Sequence, residues 1–216
     1  MALVLALHED ILSDGAALAL PARPRLIFVV QGGLRIAGRG FGGGEAWHGE
    51  GEARIEAGAA GATCWRFELS SAPVEGAAES VGVRSGEKLA ARLDTLPAGD
   101  LILRGDSVGF PPGGCAYLHR HQGPGIRCLI EGGIRIDTHG RSTSYGPGGA
   151  WYESGPDPVF AQAAADRPSR FVRVMILPRA LLGKSSIEYV NADDKAKPRL
   201  QQYKIFADMP IMRPKE

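Results

Sequence analysis

The sequence predicts an all-β protein built from two small barrels in tandem. Three observations carry that reading: an internal repeat, short apolar runs cut at close intervals by glycine and proline, and alternation of apolar and polar residues within the runs. The 30 glycines and 15 prolines among 216 residues follow no collagen-like period, so they read as turn punctuation in a β-rich chain.

The repeat is direct. LIFVVQGGLRI (Leu26 to Ile36) lies over IRCLIEGGIRI (Ile126 to Ile136) without a gap. Gly32, Gly33, Arg35 and Ile36 fall on Gly132, Gly133, Arg135 and Ile136. Downstream, GEAW (Gly44 to Trp47) falls on GGAW (Gly148 to Trp151) after a longer hairpin in the second copy. Continued in that register, Gly51 meets Gly155, Ile55 meets Val159, Ala59 and Ala60 meet Ala163 and Ala164, and Arg66-Phe67 meet Arg170-Phe171. The double glycine suits a tight turn or bulge that needs positive φ. After it, Ile36 and Ile136 belong to an inner face, and Arg35 and Arg135 to an outer one.

The expected organisation is an N-terminal barrel over 1–75, a linker over 76–100, a C-terminal barrel over 101–180 and a tail over 181–216. The linker stretch GEKLAARLD (Gly86 to Asp94) reads as a short helix between the two barrels. Leu101 to Leu103 and Val108 to Phe110 read as strands leading into the second barrel, and Ala180 to Lys184 as a helical turn. The apolar tail Tyr203 to Met212 is expected to pack on a barrel or on a partner subunit, which points to a homodimer.

Composition narrows the function classes. A formal net charge of +1 provides no basic excess to neutralise a phosphate backbone, so no nucleic-acid partner is expected. The N-terminal apolar run lacks a basic stretch and meets His8, Glu9 and Asp10 at once, so no secretory signal is expected. No run reaches the roughly 18 apolar residues of a membrane span. Three cysteines without CxxC spacing suit a reducing compartment, and a cytoplasmic location is expected. The glycines of GRGFGGG (Gly38 to Gly44) lie in a hairpin, without the strand-then-helix context of a nucleotide loop.

The strongest local feature is His119-Arg120-His121. Residues two apart on a strand share a face, so two imidazoles can chelate one ion. A bare HxH is more often a pair of ordinary histidines, so its position has to decide. That position resembles the first motif of the cupin family: Gly, five residues, HxH, three or four residues, Glu, six residues, Gly. Here the stretch runs Gly113, GCAYL, His119 and His121, QGP, Gly125 in the slot of the Glu, IRCLIE, Gly132. The second cupin motif is Gly, five residues, Pro-x-Gly, two residues, His. Counted from Gly148 it puts Ser154 at the Pro, Pro156 at the Gly and Val159 at the His. A rival register anchored on Pro147-x-Gly149 puts Tyr152 at the His. In the first copy, Ala19 and Pro21 stand where His119 and His121 stand.

The resemblance spans Ala19 to Leu177. It implies two double-stranded β-helix (cupin, jelly-roll-like) barrels, the first without a metal. The family's three-His-one-Glu site is reduced to His119 and His121, so water or a third protein ligand must complete the shell. Glu153 and Tyr152 are candidates, and Glu131 is a further one. The implied cofactor is a divalent ion, one of Zn, Fe, Mn or Ni.

Arg127 shares a face with Gly125 and Leu129, so it points inward. A buried guanidinium needs a partner: either a ligand carboxylate or an internal one such as Glu153. Tyr117 and Cys115 read as sharing the face of His119. Arg127, Tyr117 and Tyr152 are thus the expected ligand-binding residues. Trp47 and Trp151 recur in both copies, which suggests barrel packing. Two functions remain open. One is a metal-dependent enzyme of unassigned reaction on a small polar or anionic molecule, such as a carboxylate. The other is a metal-free, non-catalytic bicupin that binds or senses such a molecule.

Overall fold

The computed structural model describes residues 3–71 and 81–212. The start of the expected linker, 76–80, and the end of the expected tail, 213–216, lie outside them. The described chain is nearly all β, and its helical segments are two short 3-10 turns, Arg179–Leu181 and Ala192–Ala196. Among the described residues no helix is long and apolar enough to cross a membrane. The chain divides into two compact units: one runs to Asp94 and takes in Ile211, the other is Thr95–Pro210.

The first unit contains β1 (Val4–Leu12), β2 (Ala17–Leu20), β3 (Arg25–Ile36), β4 (Arg39–Gly42), β5 (Ala46–Gly49), β6 (Ala53–Ser70) and β7 (Val83–Arg92). They form one sheet in the order β4-β3-β6-β1-β7, with β2 also beside β6 and β5 beside β3. The expected helix at Gly86–Asp94 is instead most of β7, which pairs antiparallel with β1 from Val4↔Arg92 to Leu12↔Val83. Helix propensity is a weak local preference, and the free edge of β1 outweighs it by offering a ladder of hydrogen bonds.

The second unit contains β8 (Leu101–Phe110), β9 (Cys115–His121), β10 (Gly125–Glu131), β11 (Ile134–Thr138), β12 (Arg141–Tyr145), β13 (Ala150–Glu153), β14 (Val159–Ala163), β15 (Ser169–Pro178), β16 (Ile187–Tyr189) and all but the last residue of β17 (Gln202–Ile211). Two five-stranded sheets result, β13-β10-β15-β8-β17 and β12-β11-β14-β9-β16. The tail therefore adds β17 to the edge of β8. The two segments expected on either side of residue 105 are one continuous strand, β8.

The repeat is visible in the pairing. Ile27 stands opposite Trp47, and Arg127 stands opposite Trp151. Ile36 and Ile136 are buried while Arg35 and Arg135 are exposed. The later register of the sequence alignment is shifted. Ile36 pairs with Ile55 and Ile136 with Ala161, so the counterpart of Ile55 is Ala161 rather than Val159. Arg66 pairs with Ile27 and Arg173 with Arg127, so the counterpart of Arg66 is Arg173 rather than Arg170. The cause is bulging: β3 and β6 slip at Val29/Gln31 and Gly32/Leu34, and β10 and β15 slip at Leu129/Glu131. With the registers matched, Leu18 opposite Ile55 corresponds to Ala116 opposite Ala161. Leu20, rather than Ala19, then corresponds to His119.

The interior of the first unit is apolar at one end, around Leu18, Leu20, Ile27, Ile36 and Ile55. At the other end it holds a charged network. Arg66 grips Asp10 through Nε at 2.7 Å and Glu68 through Nη1 at 2.6 Å. Arg25 Nε donates to the other oxygen of Glu68 at 2.8 Å. All four are essentially fully buried.

His8 sits in the same network, opposite Arg66, and neither ring nitrogen has a hydrogen-bond partner among the described residues. Burial lowers its pKa and Arg66 adds to that, while Asp10, Glu68 and Glu87 pull the other way. In the unfolded chain a histidine protonates near pH 6.5. The unfolded state then binds more protons than the folded one, so stability falls as pH drops below about 6.5. Compared with His8→Leu, the wild-type protein should lose stability steadily between about pH 7 and pH 5 in denaturant titrations. A wild-type-minus-variant difference that does not change with pH counts against this assignment.

Candidate functional site

The second unit holds a cavity of about 350 Å³ that is open on one side. Alternation along the strands explains its lining. On β8, Arg104, Asp106, Val108 and Phe110 face it, and on β13, Trp151 and Glu153 do. His119 and His121 come from β9, Arg127 from β10, Arg173 from β15. The floor is apolar, with Phe110 6.0 Å from Phe171 and Trp151 edge-on to Phe171 at 5.3 Å between ring centres. Exposed side chains, including Tyr203 and Ile205, line its outer part.

The two histidines lie side by side, their ring centres 4.9 Å apart, each about 5% exposed. His119 Nδ1 lies 2.7 Å from the Tyr117 carbonyl oxygen, which can only accept, so Nδ1 carries the proton and Nε2 the lone pair. His121 Nδ1 lies 3.2 Å from the Ser186 hydroxyl, and its Nε2 is 3.9 Å from Glu153 Oε2. Burial lowers the pKa of both rings. For His121 the cations Arg173 and Arg127 add to burial and hold it well below the ordinary value. Both rings are therefore neutral at neutral pH, the form that donates a lone pair.

Glu153 is the hub of the polar end. Its Oε1 accepts from Trp151 Nε1 at 2.9 Å. Its Oε2 is 2.7 Å from Arg127 Nη2, close enough for an ion pair but not aligned for a hydrogen bond. Arg127 Nη1 donates to the Gly125 carbonyl at 2.7 Å. Burial pulls the pKa of Arg127 down to about 10, with Glu153 opposing, so it stays a cation at neutral pH. Beside it, Arg173 holds Asp106 with two parallel bonds of 2.7 and 3.0 Å. Burial depresses Arg173, but Asp106, with help from Tyr203 and Glu153, offsets this and the net shift is upward. Arg104 grips Asp208 in the same two-pronged way, at 3.0 and 2.9 Å.

Glu153 also stands directly across the strand pair from Gly125. Gly125 is the residue that the motif resemblance set in the slot of a glutamate, and a Cβ there would overlap the Val174 carbonyl oxygen and lie 2.8 Å from Met175 Cγ. No side chain fits at 125, and the neighbouring strand brings a carboxylate to the same region.

Of the eight residues singled out from sequence, the structure brings four to the cavity: His119, His121, Arg127 and Glu153. Tyr117 is not among the lining residues. β9 slips against β14 between Ala161 and Val159, so Ala116 and His119 both face inward. That bulge puts Tyr117 on the other side, where Lys197 sits 4.5 Å over its ring. Cys115 leaves the cavity face for the same reason. Tyr152 also lies off the lining, because alternation on β13 turns Trp151 and Glu153 inward. Glu131 pairs with Arg170 at 2.8 Å at the exposed end of β10. Trp151 packs as expected, stacked on Tyr145 at 5.0 Å, but it also lines the cavity and steadies Glu153.

Asp106, Arg173 and Ser186 were missed from sequence. Ser186 carried no signal. Asp106 and Arg173 did: each is a charged residue in step with inward apolar ones, Val108 and Phe110 on β8, Phe171 on β15.

Scanned against protein-family models the chain matches none, and no curated protein matches it in sequence. Solved structures do match. The formate complex of oxalate decarboxylase from Lactobacillus farciminis aligns with a TM-score of 0.64 at 14% identity, covering 89% of this chain and 82% of that one. AerE from Microcystis aeruginosa aligns with a TM-score of 0.60 at 11% identity, over 81% and 88%. A deletion mutant of the Bacillus subtilis oxalate decarboxylase aligns with a TM-score of 0.59 at 16% identity, over 89% and 73%. At such identities the likeness is one of fold, an all-β fold of the cupin β-barrel type.

Proposed function

We propose that the second unit binds a small carboxylate at a divalent ion held by His119, His121 and Glu153, with Arg127 and Arg173 beside it. The observation that carries this reading is the histidine pair. Both rings are buried, burial lowers the pKa of both, and both are anchored through Nδ1; the carbonyl partner of His119 leaves its Nε2 lone pair for an ion, and the Ser186 hydroxyl allows the same of His121. Anchoring of the far ring nitrogen is the usual support of a ligating histidine.

The donor set fits a divalent ion in its chemistry: two imidazoles and a carboxylate whose other contacts, Trp151 and Arg127, leave Oε2 a lone pair. It is an open set. Among the described residues no group of three or more His, Cys, Asp or Glu is drawn together into a ready cage. The remaining positions would go to water or to the bound molecule. An ion there would supply Lewis acidity toward an oxygen of the ligand.

The protein's own groups do the rest. Three of the four lining arginines are each matched by an acid: Arg127 by Glu153, Arg173 by Asp106, Arg104 by Asp208, while Arg199 and Lys184 add further positive charge to the lining. The neutral histidines add no charge, so the lining is already net positive, an ion would add to that, and an anionic ligand would offset part of it. Among the described residues Arg173 spends Nε and Nη2 on Asp106, and Arg127 Nη2 has no aligned acceptor, so both keep donors for an anion. The similarity in fold to an enzyme captured with formate supports the anionic ligand class.

The Arg127–Glu153 contact favours a second reading, in which the guanidinium takes the cation's place and the carboxylate binds without metal. Elemental analysis separates the two. Untagged protein exposed to zinc, iron, manganese and nickel should retain about one equivalent of an ion per chain, and His119→Ala/His121→Ala less than about a tenth. Wild-type protein that also retains less than about a tenth sinks the metal and leaves the second reading.

A further inference from the structure

We infer that the ligand of the second unit is amphipathic: a carboxylate joined to an apolar body that rests against Phe110, Trp151 and Phe171. The head group rests on the reading above; the apolar body rests on how the cavity was made.

The two units are built on one pattern, so each shows what the other could have been. Across one interior row the first unit places Leu18, Ile55 and Ile36, all buried in its core. Across the matching row the second unit places Ala116, Ala161 and Ile136. Two large side chains of the first unit are thus cut to methyl groups in the second. Beside them, Leu20 gives way to His119 and Ile27 to Arg127. The first pair of changes opens space, and the second lines one end of it with polar groups.

Filling such a row would have been the more stable choice, because emptied core volume costs stability. Here the space joins a cavity of about 350 Å³. That is the size of a small-molecule site and many times the space one water needs. A two-carbon diacid held at the polar end would leave the aromatic floor facing water, which apolar walls do not hold well. A carboxylate with an apolar body fills both ends.

The geometry also sets the orientation. His119, His121, Arg127, Glu153 and Arg173 converge at one end, while Phe110, Phe171, Ala116 and Ala161 belong to the apolar cluster at the other. The carboxylate goes to the histidines and arginines and the chain or ring goes to the floor.

The test is a binding series by calorimetry on the full-length protein, with metal content measured on the same sample. The probes are acetate, butyrate, hexanoate, benzoate and oxalate, with hexanol to remove the charge. Affinity should rise about fourfold per methylene from acetate to hexanoate. Benzoate should outbind oxalate, and hexanol should bind more weakly than hexanoate. Refilling the row with the residues of the first unit, Ala116→Leu with Ala161→Ile, should remove the gain of hexanoate over acetate. A flat series in wild-type protein overturns the inference, whatever the variant does, and so does an absence of binding by every probe. A rising series in protein that holds no metal refutes the metal and upholds the apolar body. A flat series in metal-loaded protein does the reverse.

Discussion

Replacing Gly125 with glutamate, which would complete the motif around His119 and His121, is expected to damage the second unit and not to improve its site. The position has no room. A Cβ at 125 meets the Val174 carbonyl oxygen and the Met175 Cα at 3.0 Å, both backbone atoms of β15, the strand paired with β10. Backbone in a central strand cannot step aside as the tip of a flexible side chain can. The added carboxylate would also enter a region where Arg127 already serves Glu153. Overpacking and an extra buried charge together should cost at least about 3 kcal/mol. Denaturant unfolding should show a lower midpoint for the second unit, and metal uptake should fall with it. A Gly125→Glu protein as stable as wild type, with tighter metal binding, would show that the strands can part and that Glu153 is not the substitute carboxylate.

A loss of similar size is expected in the first unit from Arg66→Met. Arg66 binds both acids of the buried network, Asp10 with Nε and Nη2 and Glu68 with Nη1. Methionine fills part of the volume and leaves Asp10, among the described residues, with the Ser85 hydroxyl at 2.5 Å as its side-chain partner. Glu68 keeps Arg25, so the uncompensated charge is that of Asp10. Removing one partner of a buried pair typically destabilises by about 3–5 kcal/mol. The paired variant Asp10→Leu/Arg66→Met should recover much of the loss, because it removes both charges and not one. A single variant that loses less than about 1 kcal/mol would mean that water reaches the network and screens it.

These predictions also mark where sequence reasoning stopped. Strand alternation is a local rule, and it placed Arg127, Ile36 and Ile136 correctly because no bulge intervenes between them and their anchors. The same rule misplaced Tyr117 and Cys115, because β9 carries a bulge that no local pattern announces. The helix expected at Gly86–Asp94 has a helix former's composition. Only the presence of β1 beside it makes it a strand.

The internal repeat, read from sequence alone, determined the all-β class, the two-copy organisation, the pairing of Trp47 with Trp151 and the restriction of the histidine pair to the second copy. These follow from residue identity and short-range period, which survive without knowledge of neighbours. What surrounds the histidines was decided by tertiary structure. Glu153 faces Gly125 across a strand pair, Asp106 meets Arg173 at a separation of 67 residues, and Ser186 reaches His121 from 65 residues away. The apolar floor likewise exists only because Ala116 and Ala161 come to face each other from different strands. Such contacts are set by register, and register is the sum of every bulge and turn between two strands, so a shift of one residue in any of them reassigns the site.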